Sequence, residues 1–114
     1  MTPHDAPSAA QLVESVREWL QRDVLASTEG RLRYHARVAI NALSIVEREL
    51  AVGAEQQAAH AERLRTLGVA DDAELSEAIR SGALDDRLDE VRDLVWQSVR
   101  DKLAVANPKY LSSP

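Results

Sequence analysis

The 114-residue sequence contains no cysteine and no phenylalanine. Without cysteine there is no disulfide framework, no thiolate metal site and no cysteine nucleophile. Aromatic residues make up only 4%, two Trp and two Tyr, so any core is built from aliphatic side chains. Glycine and proline number four each and sit at segment boundaries, which leaves little turn material for an all-β fold. Positive charge is also short: 14 Lys and Arg face 19 Asp and Glu, a net of −5. That balance argues against nucleic-acid binding by bulk positive charge. No apolar run approaches the roughly 20 residues of a membrane span. The opening residues 1–10 place prolines and an acid where a signal peptide needs a basic start and an apolar run. A cytoplasmic location, without membrane or nucleic-acid partners, is the expectation.

What remains is rich in Ala, Leu, Arg and Glu, all helix formers, and strand-type alternation is hard to find. The periodicity predicts an all-α fold of about five helices in a compact bundle, with the long second and fifth helices central. Residues 1–7 read as a flexible leader, 8–111 as a single helical domain and 112–114 as a tail. Ser8 and Gln11 have capping-box spacing and start the first helix. Leu12, Val13, Val16, Leu20 and Val24 then recur at steps of three and four, with Trp19 beside them. The second helix is expected over about 30–52, with Leu32, Ala36, Ile40, Leu43, Val46 and Leu50 on one stripe. Tyr34, Val38, Ile45 and Val52 add another apolar face. Gly53 reads as a break or kink before a third helix at about 54–67. Asp71 or Asp72 caps a short fourth helix that ends at Gly82. The fifth helix runs over about 86–106, with Leu88, Val91, Val95, Val99 and Leu103 inward, until Pro108 stops it. Tyr110 and Leu111 are free to pack back.

Charge is distributed unevenly. Residues 31–46 carry Arg31, Arg33 and Arg37 and no acid, while residues 54–98 hold eleven acids against five arginines. Arg100, Lys102 and Lys109 return the end of the chain to a positive balance. On the second helix Arg33, Arg37, Asn41, Ser44 and Arg48 follow helical steps and form one polar ridge. Such a ridge is either a solvated stripe or a surface for phosphate or an acidic partner, since arginine's fork binds oxyanions bidentately. Asn41, between Ile40 and Ala42, reads as partly buried. His35 reads as a histidine packed between helices, and His60 as a surface residue. Trp19 and Trp96 fall on apolar faces, for core or interface packing. Asp85, Asp86, Asp89, Glu90 and Asp93 suit a solvated face near a helix start. No metal-ligand spacing, phosphate loop or nucleophile arrangement stands out, so no catalytic residue, cofactor or metal is assigned.

Two stretches together resemble a family of small uncharacterised bacterial helical proteins. One spans 30–43 and 45–50, with Arg33-Tyr34-His35-Ala36-Arg37-Val38-Ala39-Ile40-Asn41-Ala42-Leu43 as its mark; the other spans 99–111, with Lys102-Leu103-Ala104-Val105-Ala106-Asn107-Pro108-Lys109-Tyr110 as its mark. Ile40 departs from the small residue usual in that pattern. The resemblance implies a setting: such proteins accompany aminoglycoside-phosphotransferase-like kinases and acyl-CoA dehydrogenases in acyl-CoA catabolism. It implies a non-catalytic accessory subunit or activator of a kinase acting on hydroxyacyl-CoA substrates. The alternatives are a stand-alone helical module for an anionic small molecule such as an acyl-CoA, and a small enzyme using His35 or the acidic run. The polar residues of the two motifs, Arg33, His35, Arg37, Asn41, Lys102, Asn107 and Tyr110, form the candidate partner- or anion-binding set. Helix topology further predicts that Arg33 and Arg37 lie near Lys102, Asn107 and Tyr110.

Overall fold

A computed structural model describes residues 6–112; most of the expected leader and the last two residues of the expected tail lie outside the described residues. Among the described residues the chain is helical and has no strand. Five α-helices follow one another: α1 (Ala9–Trp19), α2 (Gly30–Thr66), α3 (Asp72–Ser81), α4 (Leu88–Ala106) and α5 (Lys109–Ser112). A π-helical turn, Leu20–Val24, extends α1, and a 3-10 turn, Asp85–Arg87, precedes α4. The chain divides into two compact units, Met1–Val52 and Gly53–Pro114.

The five helices are not the five expected. The anticipated break at Gly53 is absent, and α2 continues for 37 residues. Gly53 is the one glycine without a positive φ; Gly30, Gly68 and Gly82 have φ of 59°, 78° and 84°. A helical glycine costs about 1 kcal/mol relative to alanine, which helix formers on both sides offset. Chain reversal is left to Gly68 and Gly82. After α2, the Val69 amide donates to Leu64 O at 3.0 Å and the Gly68 amide to Arg65 O at 2.9 Å, a Schellman closure.

Helix starts follow the sequence closely. Ser8 Oγ accepts from the Gln11 amide at 3.2 Å, and Gln11 Oε1 accepts from the Ser8 amide at 2.8 Å, completing the capping box. Asp71 caps α3 by accepting from the Glu74 amide at 2.8 Å. Asn107 is extended, φ −158° and ψ 76°, as the following proline requires.

Within the first unit, Ala36 and Ile40 of α2 are buried. Arg17 of α1 holds Glu47 of α2 through Nε to Oε1 and Nη2 to Oε2, and also donates to Gln21 at 2.8 Å. This hydrogen bond, with the carboxylate charge behind it, raises the Arg17 pKa above its ordinary value despite some desolvation. Within the second unit, Leu67, Leu84 and Val91 form a buried cluster, with Val69, Leu75, Ala78 and Leu94 packed against it.

Two expectations about faces are corrected. On α4, Val91 is buried, but Leu88, Val95 and Val99 are exposed. The inner face is rotated so that Ser98 and Asp101 meet α2. Tyr110 does not pack back: it is 69% exposed, while Leu111 is half-buried.

Candidate functional site

The first unit's candidate residues sit on the opening turns of α2. Arg33 is half-buried, and its Nη1 donates to the carbonyl of Leu25, an acceptor left over where the first helical segment ends. Thr28 Oγ1 serves the Val24 carbonyl in the same way at 2.7 Å. Residues 26–30 with Leu32 and Arg33 line an open hollow of about 660 Å³. His35 is exposed rather than packed between helices. Its ring meets Tyr34 edge-on, with centroids 5.6 Å apart, and Arg31 Nε lies 3.5 Å from its Nε2. Asn41 is exposed as well, contrary to the expected partial burial, and its side chain makes no hydrogen bond among the described residues. The polar ridge is therefore not uniform. Ser44 turns back to the Ile40 carbonyl at 2.9 Å, Arg33 is engaged, and Arg37 and Asn41 face water.

In the second unit Lys102, Asn107 and Tyr110 are all exposed. Asn107 spends its backbone on helix ends: its amide donates to Leu103 O at 2.8 Å, and its carbonyl accepts from the Tyr110 amide at 3.1 Å.

Of the 14 basic side chains, only Arg37, Arg100 and Lys102 make no hydrogen bond or ion pair among the described residues. Arg37 and Lys102 belong to the candidate set. Elsewhere arginines answer nearby acids, including those of the acidic run: Arg87 pairs with Glu90 at 2.6 Å, and Arg92 with Asp89 at 3.5 Å.

A third group of residues was not anticipated as a site. Gln56, His60 and Arg63 lie at steps of four and three on α2, and Ser98 and Asp101 three apart on α4. His60 Nδ1 lies 2.7 Å from Ser98 Oγ, and Nε2 lies 2.7 Å from Asp72 Oδ1 at the start of α3. Arg63 Nη1 donates to Ser98 Oγ at 2.9 Å and to Asp101 Oδ2 at 3.1 Å, while Gln56 Nε2 donates to the Asp101 carbonyl at 2.8 Å. An ionised carboxylate only accepts, so His60 Nε2 carries a hydrogen; in the neutral ring, Nδ1 then accepts from the Ser98 hydroxyl. The Ser–His–Asp order is that of an activated nucleophile. Ser98, however, lies mid-helix, where neighbouring amides are spent on the α4 ladder. The nearest cation, Arg63, is itself held by Asp101. The cluster ties α2, α3 and α4 together as a polar lock. Its signal was a polar stripe on each helix, hidden because each polar residue alone reads as surface.

Among the described residues there is no group of three His, Cys, Asp or Glu placed to hold a metal ion, and no helix long and apolar enough to cross a membrane. No curated protein and no solved structure matches the chain. A family model described as a domain of unknown function, DUF6285, matches residues 26–110, most of the chain and both motif segments, and the chain belongs to that family.

Proposed function

We propose that the protein is a non-catalytic accessory subunit or activator of an aminoglycoside-phosphotransferase-like kinase acting on hydroxyacyl-CoA substrates in the cytoplasm. The partner's identity comes from the resemblance of the two motifs. The observation that carries a binding role is the pair of exposed cations Arg37 and Lys102, unpaired among the described residues while most arginines have partners. An exposed cation without a partner retains its hydration and its full set of donors, ready for a carboxylate or phosphate on another molecule. Arg33, His35 and Asn41 border Arg37 along α2, and Asn107 and Tyr110 follow Lys102; these are the proposed contact residues.

Co-expression with a kinase of the proposed class tests the reading. A co-purifying complex is expected, with kinase that is less active or less soluble when made alone. The isolated protein is expected to turn over no ATP. Full kinase activity without this protein, and no complex at micromolar concentration, contradicts the proposal. Binding of an acyl-CoA by the isolated protein, with no kinase complex, favours the small-molecule module instead.

A further inference from the structure

The polar lock has a consequence for the adjoining face of α4. Because Ser98 and Asp101 take the face toward α2, the valines expected inside are turned out. Val95 is 36% exposed, Val99 39% and Trp96 53%. Residues 95, 99 and 102 follow steps of four and three and share one face, with 96 and 100 adjoining it. Arg100 and Lys102 lie there without partners among the described residues. The one acid between 96 and 106 is Asp101, which is committed to Arg63 on α2.

We propose that this outer face of the C-terminal half of α4 is a docking surface for an acidic, apolar-faced segment of another protein. Trp96, Val95 and Val99 form the apolar anchor, and Arg100 and Lys102 the charged rim. A large aromatic beside aliphatic side chains and flanked by cations has the make-up of a binding hot spot. Charge selects the partner. A second copy in parallel register is disfavoured, because that pairing sets each cation against itself. An anionic membrane is disfavoured by Asp89, Glu90 and Asp93 one or two turns earlier on the same helix, which a broad negative surface repels and a short segment avoids. This proposal stands on α4 alone and does not depend on the kinase assignment.

The test uses a full-length chain carrying Trp19→Phe, so that Trp96 is the sole tryptophan. The probes are an 18-residue helical peptide with a leucine stripe flanked by glutamates, its counterpart with lysines for the glutamates, and phosphatidylserine vesicles. The acidic peptide is expected to give a saturable blue shift of Trp96 emission, and the basic peptide and vesicles none. Replacing Arg100→Glu and Lys102→Glu together is expected to weaken binding about ten-fold or more, at unchanged helicity. Should that double reversal lose helix, Arg100→Gln with Lys102→Gln serves, with a smaller loss expected. Arg80→Glu on α3 is expected to leave binding unchanged. No saturable shift, equal response to both peptides, or indifference to the charge changes overturns the proposal. So does a response to vesicles in place of the peptide, or a shift that follows protein concentration alone.

Discussion

Arginines with and without partners answer differently to substitution. Arg17 is bound by both carboxylate oxygens of Glu47, at side-chain exposures of 21% and 24%. Arg17→Ala leaves Glu47 partly desolvated without its counter-charge and is expected to cost about 1–2 kcal/mol, between a surface and a buried pair. The Arg17 pKa is raised by Glu47, so on the arginine side the stabilisation is fully present below the ordinary guanidinium value. It is lost only in strong alkali, as pH rises through the raised value. Urea denaturation at pH 7 and pH 9 should therefore return the same difference between wild type and Arg17→Ala; a difference that shrinks at pH 9 contradicts the assignment. His60→Ala removes two side-chain links and leaves Asp72 without its ring partner. A loss of about 1–2 kcal/mol is expected, readable in the same denaturation experiment. Arg37→Glu and Lys102→Glu break no hydrogen bond or ion pair among the described residues, so each is expected to leave the melting temperature within about a degree of wild type, as surface substitutions usually do.

At the level of elements, the sequence was most legible where a local rule suffices. The capping box at Ser8, the Asp71 cap, the glycine endings and the stop before Pro108 each depend on a few neighbouring residues, and each formed. The break read at Gly53 did not form because glycine is only a weak helix breaker, and what decides is whether the chain must turn there; the two units nonetheless divide at this residue. Gly53→Ala is expected to stabilise the protein by about 0.5–1 kcal/mol, since alanine suits a continuous helix. Thermal unfolding checks this, and destabilisation would speak for a break at 53. Gly82→Ala should act in the opposite direction. The residue has φ +84°, and an added Cβ would lie 3.0 Å from Asp85 Oδ2, so a cost of about 1 kcal/mol or more is expected. The facing of α4 was not legible for another reason. Apolar spacing marks a stripe containing Val91, Val95 and Val99, but Ser98 and Asp101 are drawn inward by Arg63 and His60, and that pairing spans more than thirty residues of sequence. For the same reason His35 and Asn41 looked buried from their apolar neighbours, although their own side of α2 faces water.

For the molecule as a whole, six hydrophobic residues are buried, two in the first unit and four in the second, and no side chain is fully enclosed among the described residues. Small cores give small stability margins. A partner that binds only the folded chain adds about 2.7 kcal/mol at a hundred times its dissociation constant. The melting temperature is therefore expected to rise when the proposed kinase partner is present in excess. The family assignment covers both motif segments, yet the motif residues divide into those engaged within the chain, such as Arg33, and those without a partner among the described residues, such as Arg37 and Lys102. The central claim is that these unpaired cations meet a partner. Titration calorimetry of the purified kinase with wild type, Arg37→Glu and Lys102→Glu, at low and high salt, tests it most directly. The account predicts saturable binding by wild type that weakens as salt rises, and about ten-fold weaker binding by each charge reversal. Wild-type affinity retained by both reversals and indifferent to salt, or no binding by wild type at all, would contradict it.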